Sequence, residues 1–288
     1  MKPNEKKSVF YAITAAFLYA FSSPFSKIFL KHVSPTMMAA FLYLGAGTGI
    51  FLMNILTKKS PYEKPLTKKE FPYALGMILL DIAAPIFLMI GLSKTSAANV
   101  SLLNNFEIVS TSIIALFIFR EKISKKLWTA IILVTVSTML LSFENSESLS
   151  FSFGSLFVIL ACISWGFENN FTRKMSQKNP MHIVILKGLF SGLGSFIIAI
   201  SVKEQIPQLK YILGVMLLGF IAYGLSIFFY VYAQRTLGAA KTSTYYAVAP
   251  FIGSFLSLII FRELPSATFI IALIIMIIGT YFAGENSK

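Results

Sequence analysis

Ten apolar segments of about 20 residues divide this chain, and short polar connectors separate them. A helix that crosses a bilayer needs about 20 mostly apolar residues. Hydrophobic residues make up 56% of the chain and charged residues 13%, whereas soluble domains are about 45 to 50% apolar and about 25% charged. The sequence therefore predicts an all-α membrane protein with ten transmembrane helices. The segments span 8–29, 36–57, 72–92, 97–119, 126–143, 152–172, 181–202, 210–233, 239–261 and 266–283.

If the segments cross the membrane one after another, their connectors alternate between its two sides. Lysine and arginine are unevenly divided between these two sides. Of the 25 basic residues, 18 lie on the side of the N-terminus, 6 lie on the other side and Lys187 lies inside a segment. Because cytoplasmic loops are enriched in Lys and Arg, we expect both termini in the cytoplasm. Topology thus accounts for the formal charge of +13, and no nucleic-acid partner is expected.

Two patterns of the first half recur in the second half. A pair of alanines followed 22 residues later by Phe-Arg-Glu starts at Ala97 and again at Ala239. A second pattern, an aromatic residue followed by a small residue and Phe, starts at Tyr19 and again at Trp165. The offsets are 142 and 146 residues, so the patterns keep their order. Because both patterns also include polar residues, duplication explains them better than chance similarity between apolar helices.

The duplication predicts two repeats of five helices joined by an external linker. The first repeat covers 1–143, the linker 144–151 and the second repeat 152–288. Since five is odd, the second repeat enters the membrane from the opposite side and is inverted. Inverted repeats that meet near the membrane midplane are the architecture of many secondary transporters.

These features resemble the EamA branch of the drug/metabolite transporter superfamily. The resemblance rests on the ten segments, the duplicated halves, Trp165-Gly166 in segment six and the Arg-Glu that closes segments four and nine. It implies a ten-helix, multi-pass carrier of the bacterial inner (cytoplasmic) membrane, commonly an exporter of amino acids or related metabolites that works without ATP. One departure is Ile108, which stands where the second repeat has Pro250. We therefore expect helix breaks at these positions to be unequal.

Ionisable side chains inside the apolar segments are candidates for a transport pathway. A charge at bilayer depth costs about 2.5 to 3.5 kcal/mol unless it faces protein, water or a partner. Glu168 and Lys187 lie at similar depth in consecutive segments, so we predict an ion pair that either fixes packing or binds substrate. Glu107 lies near the middle of segment four with no cation at matching depth in neighbouring segments. It is the first candidate for proton coupling, and Asp81 is the second.

Tyrosines and amides are predicted to form the wall of a cavity between the halves. On segment eight, Tyr223, Tyr230 and Gln234 fall on one helical stripe. Alternatively, polar groups of this kind only join helices, which contributes about 0.6 kcal/mol per contact. The predicted substrate-binding residues are Asn104, Glu107, Trp165, Glu168, Asn169, Lys187, Tyr223, Tyr230, Gln234, Tyr245 and Tyr246.

The sequence therefore predicts a secondary transporter, coupled to protons, that exports a small, partly polar metabolite such as an amino acid. A lipid flippase, a membrane-embedded enzyme or a sensor that uses the same carboxylates is the alternative. The sequence has no Walker-type or dinucleotide-binding motif and no His/Cys cluster with metal spacing, so no cofactor, metal site or catalytic residue is predicted. The expected partners are a small-molecule substrate and the lipid bilayer. The chain is expected to be a monomer or homodimer, because Gly188 and Gly192 suit either close packing or dimerisation.

Overall fold

A computed structural model describes residues 3–56, 66–118, 124–142, 152–237, 242 and 245–284. Within these ranges the chain is helical and contains no strand. Six helical stretches are long and apolar enough to cross a membrane, and three shorter helices are also apolar. The all-α membrane class is confirmed, whereas the count of ten spans stays a prediction. The predicted linker at 144–151 lies outside the described residues, as do 119–121 and 239–240 of the repeated patterns.

Thirteen α-helices are described, seven before residue 143 and six after it. The first seven are α1 (Pro3–Ala20), α2 (Ser22–Phe29), α3 (Pro35–Leu56), α4 (Phe71–Lys94), α5 (Ala97–Leu103), α6 (Phe106–Phe117) and α7 (Lys125–Ser142). The other six are α8 (Phe153–Met175), α9 (Pro180–Ser201), α10 (Leu209–Gly219), α11 (Ser226–Leu237), α12 (Ala249–Phe261) and α13 (Ala267–Gly284). A short 3₁₀ helix, Lys68–Glu70, precedes α4, and a π-helical segment, Phe220–Leu225, joins α10 to α11.

Segments one, four and eight are not the continuous α-helices that the sequence predicted. Segment one turns at Phe21, and Pro24 then lies in the first turn of α2, where a missing N–H is tolerated. Segment four turns at Asn104 and Asn105, between the end of α5 and the start of α6. In segment eight the π-helical segment widens the helix for about one turn.

The breaks in segments four and nine correspond, although only segment nine has a proline there. Asn105 is the N-cap residue of α6, and Val248 is the N-cap residue of α12. These caps lie 143 residues apart, within one residue of the 142-residue offset of the alanine pattern. The positions of the two breaks therefore agree, and a difference in their extent stays a prediction because 238–241 and 243–244 lie outside the described residues. The two asparagines interrupt the first-half helix without help from proline.

Most helix contacts of one half have a counterpart in the other half. Segments one to five correspond to segments six to ten in the same order. The contact of α4 with α8, in segments three and six, therefore has its counterpart in the contact of α11 with α1, in segments eight and one. The pair α3 and α10 likewise corresponds to α9 and α4, and the pair α6 and α8 corresponds to α12 and α1. The pairs α3 with α9, α5 with α12 and α7 with α13 each join corresponding segments. Helices of both halves therefore meet along the centre of the molecule.

Glycines allow α3 to approach α9 and α10 at backbone distance. A Cβ atom on Gly188 of α9 would lie 2.4 Å from the amide nitrogen of Gly47. A Cβ atom on Gly219 of α10 would lie 2.0 Å from the carbonyl oxygen of Leu42. Gly192 of α9 is similarly close to α3. The Gly188 and Gly192 pair is thus used for packing inside this chain.

Candidate transport site

Lys187 lies at the centre of a buried ion cluster. Its Nζ is 3.0 Å from Glu168 Oε1 and 3.2 Å from Asp81 Oδ2. The side chains of Glu168 and Asp81 are 2% and 0% exposed. The predicted pairing of Lys187 with Glu168 is therefore confirmed. It was incomplete, because Asp81 of α4 binds the same ammonium group.

Hydroxyl groups hold the two carboxylates from other directions. Tyr43 of α3 donates a hydrogen bond of 2.9 Å to Asp81 Oδ1, and Thr172 of α8 donates one to Glu168 Oε1. A buried ion pair is stable only when its remaining oxygens are also hydrogen-bonded. The spacing of four residues between Glu168 and Thr172 predicts their contact on one helix face. No comparable signal indicates Tyr43, which is a single tyrosine in an apolar segment.

Glu107 lies in the first turn of α6, just after the break in segment four. Its Oε1 accepts a hydrogen bond of 2.5 Å from Asn169 Nδ2, which is also 3.5 Å from Thr111 Oγ1. In the described part of the chain no cation forms an ion pair with Glu107. Asn169 directly follows Glu168 on α8. Through these two neighbouring side chains, α8 contacts both Glu107 and Lys187.

Tyrosine rings from both halves form a continuous aromatic wall. The ring of Tyr223, in the π-helical segment, lies 5.7 Å from the ring of Tyr19 and 5.4 Å from that of Tyr43 between centroids. Tyr246 lies 5.7 Å from Tyr19 and 4.9 Å from Tyr230 in the same measure. Tilted and edge-to-face arrangements at these distances are favourable. The wall therefore joins α1 and α3 to the segments around α11 and α12.

The charged groups and the aromatic wall line a small, half-open cavity of about 60 Å³. The residues that line the cavity are Tyr19, Tyr43, Glu107, Trp165, Glu168, Asn169, Thr172, Lys187, Tyr223, Ile227, Tyr230, Val231 and Tyr246.

Most of the predicted substrate-binding residues line this cavity, but Asn104, Gln234 and Tyr245 do not. Asn104 ends α5, and its backbone oxygen accepts from the amide of Glu107. Gln234 is buried one turn beyond Tyr230, past the end of the cavity. Asp81 does not line the cavity either, because it binds the ammonium of Lys187 from α4. The roles of all these residues stay predictions.

A protein-family model matches nearly the whole chain and decides the family. The model of the EamA-like transporter family matches residues 6–143 and again residues 152–284. The chain belongs to the EamA-like transporter family. This EamA-like protein is therefore a multi-pass membrane protein of a transporter family, as its resemblance implied.

Relatives of this EamA-like protein are also described as transporters. An "Uncharacterized transporter" of Methanothermobacter thermautotrophicus is 25% identical, and the match covers 96% of this chain and 85% of that protein. The "Uncharacterized transporter YyaM" of Bacillus subtilis is 20% identical over 81% of this chain and 79% of its own length. A solved crystal structure has the same fold, with a TM-score of 0.73 and 16% identity over 98% of both chains.

Proposed function

We propose that this EamA-like protein is a secondary transporter that carries a small organic solute through the cavity between its two halves. The observation that carries the proposal is that Glu107, Glu168 and Lys187 line one cavity together with tyrosines of both halves. Ionisable groups at bilayer depth are expensive and mark solute or proton pathways when they face a cavity. Secondary transporters place their binding site at such an interface between repeats.

The proposed architecture is ten transmembrane helices in two inverted repeats with both termini in the cytoplasm. The repeats are 1–143 and 152–288, joined by an external linker at 144–151. Two features support this arrangement: the family model matches the chain twice, and most helix contacts of one half have a counterpart in the other. The excess of Lys and Arg on the side of the N-terminus supports the orientation.

The proposed location is the inner membrane of a bacterium, and the proposed direction of transport is export from the cytoplasm. The family resemblance supports this proposal, and the absence of nucleotide-binding motifs from the sequence favours an ion gradient as the energy source. Glu107 is the proposed proton carrier. The titratable or charged groups near it are Glu168, Lys187, Cys162, Tyr19 and Tyr246.

An acid/base enzyme or flippase that uses the same carboxylates is less well supported. Acid/base catalysis needs two carboxyl groups that reach one substrate. Asp81 and Glu168 are instead held by the same ammonium group, at 3.2 and 3.0 Å. Only Glu107 and Glu168 line the cavity among the three acids, and Glu168 is tied to Lys187. The geometry thus favours binding and proton movement over bond cleavage.

Flux through proteoliposomes tests the proposal. Vesicles that contain the purified chain and a pH-sensitive dye are given phenylalanine, phenethylammonium and 3-phenylpropionate, each under a range of pH values. We expect protein-dependent flux of at least one solute, accompanied by proton movement in the opposite direction. In Glu107→Gln the flux falls about tenfold or more and loses its pH dependence, because an amide cannot carry a proton.

The control for this experiment is Glu263→Gln, which makes the same chemical change at an exposed residue after α12. Its flux and pH profile should match those of the unchanged chain. Unchanged flux and pH dependence in Glu107→Gln would contradict the coupling role. Absence of protein-dependent flux for all three solutes would contradict transport of single-ring metabolites.

A further inference from the structure

Acidic groups outnumber basic groups around the cavity. Glu107 and Glu168 line it, and Asp81 is a second carboxylate on the ammonium of Lys187. Among the described residues, Lys187 is the only Lys or Arg that lines the cavity. With all four groups ionised, negative charge is in excess. Such an excess is costly at bilayer depth, so positive charge must come from protons or from the solute.

Lys187 has little capacity to bind the carboxylate of a solute. An ammonium group has three N–H donors, and its nitrogen already contacts Glu168 at 3.0 Å and Asp81 at 3.2 Å. The hydroxyls of Tyr43 and Thr172 are likewise committed to these carboxylates. An anionic group at the remaining N–H of Lys187 would lie beside the carboxylates of Glu168 and Asp81, and like charges this close repel each other. The cluster therefore opposes anions.

The helix break beside Glu107 does not supply an alternative site for anions. Anions often bind free amides at helix N-termini. Here the amide of Glu107 donates to Asn104 O at 3.1 Å, and the amide of Ile108 donates to Asn105 O at 3.0 Å. The carboxylate of Glu107 itself occupies the first turn of α6. Both the amides and the positive end of the helix are thus used within the chain.

The aromatic wall adds attraction for positive charge. The faces of aromatic rings carry negative charge density and attract ammonium groups. Tyr19, Tyr223, Tyr230, Tyr246 and Trp165 all line the cavity beside the two acids. Ile227 and Val231 line it as well and provide apolar surface for a carbon skeleton. Carboxylates, ring faces and apolar side chains together suit a cation with an aromatic or aliphatic body.

We propose that the solute of this site is an organic cation, a primary or quaternary amine that carries an apolar or aromatic body, rather than an amino acid or an organic acid. This inference rests on the proposed transport function and names its substrate class. Glu107 and Glu168 contact the ammonium group, the rings surround it, and Lys187 holds Glu168 in place. The bound cation replaces the protons that balance the acids when the cavity is empty.

Fluorescence of Trp165 measures binding directly. The chain has two tryptophans, and Trp128 of α7 is 43% exposed and does not line the cavity. In a Trp128→Phe background the emission therefore reports on the cavity. The purified full chain in lipid nanodiscs is titrated with phenethylammonium, phenylalanine and 3-phenylpropionate. These probes share a ring and a short carbon chain and differ chiefly in charge.

Phenethylammonium is expected to bind saturably, about tenfold or more tightly than phenylalanine, whereas 3-phenylpropionate shows no saturation. Glu107→Gln should weaken phenethylammonium binding by about tenfold or more, because the hydrogen bond to the ammonium loses its negatively charged acceptor. This variant keeps a side chain that can still bond Asn169, so it is expected to fold. Glu263→Gln, the same change on the surface, should leave binding unaltered.

Flux of N,N,N-trimethylphenethylammonium, a permanent cation, separates this inference from the transport proposal. Saturable binding of phenethylammonium without protein-dependent flux of its trimethyl analogue would support the ligand class and count against transport. Tighter binding of phenylalanine or of 3-phenylpropionate would overturn the ligand class, even where flux is observed. Failure of all three probes to bind, or equal binding in Glu107→Gln, would overturn it as well.

Discussion

Lys187 balances two carboxylates, so its charge should matter more than its bulk. In Lys187→Met, Asp81 and Glu168 lose their counter-charge, and removal of one partner from a buried ion pair typically costs about 3 to 5 kcal/mol. We expect a loss of this size in the free energy of unfolding. Thermal melting and denaturant unfolding in detergent would measure it.

Neutralising the whole cluster provides the matched comparison for this variant. The triple variant Lys187→Met with Asp81→Asn and Glu168→Gln leaves no unpaired charge, and it should recover most of the lost stability. A triple variant as unstable as the single one would show that Lys187 acts through packing. A single variant as stable as the unchanged chain would show that the ion cluster contributes nothing to the fold.

At the residue scale, the sequence predicts contacts between neighbouring segments better than contacts between distant ones. Glu168 and Lys187 lie on consecutive segments, so counting residues from the connecting loop places them at equal depth. Asp81 and Tyr43 come from α4 and α3, and their position beside Lys187 depends on how α3, α4, α8 and α9 pack. No spacing along the chain encodes that arrangement.

At the scale of the helix, the π-helical segment Phe220–Leu225 positions Tyr223 against Tyr19 and Tyr43. A π segment holds about one extra residue in a helical turn, and such segments are common at functional sites. Deletion of Ile221 should restore an α-helix and keep α10 and α11 in their contacts. The ring of Tyr223 then moves by about one residue step, roughly a quarter of a turn.

The expected result of this deletion is loss of function with the fold retained. The free energy of unfolding should fall by about 1 to 2 kcal/mol, while phenethylammonium binding to the cavity falls about tenfold or more. Melting curves and Trp165 fluorescence measure the two effects. Deletion of Phe229, inside the regular helix α11, is the control and should unfold the chain because it rotates every later contact. Unaltered binding after the Ile221 deletion would show that the π segment has no role at the site.

Helix positions follow closely from the apolar segments, whereas the irregular points inside them do not. The predicted segments 36–57 and 181–202 became α3 (Pro35–Leu56) and α9 (Pro180–Ser201). Segment eight gave no sign of its π turn, because its apolar residues surround the helix and define no sharp face. Segment four breaks at Asn104 and Asn105, whereas the sequence predicts a continuous helix there with Asn104 among the substrate-binding residues.

At the scale of the whole molecule, each half has polar contacts between two of its own segments: segment one with the end of segment three in the first half, and segment eight with the end of segment six in the second half. Lys27 Nζ donates to the carbonyl oxygens of Leu92 and Thr95 at 2.5 and 2.7 Å. In the second half, Arg235 donates to the carbonyl oxygens of Ser176 and Lys178. Backbone carbonyls at helix ends suit such cationic donors.

The inverted relation between the halves can be tested with single cysteines in corresponding loops. His32 follows segment one and Gln177 follows segment six, and both are exposed. In a Cys162→Ala background, which removes the natural cysteine, His32→Cys should react with a membrane-impermeant maleimide in intact cells. Gln177→Cys should react only after permeabilisation, because the basic loops around it are expected to face the cytoplasm. Gln205→Cys, after segment seven, is the control and should behave like His32→Cys. Equal reactivity at 32 and 177 in intact cells would mean that the repeats are parallel, and the placement of the site between inverted halves would then be wrong.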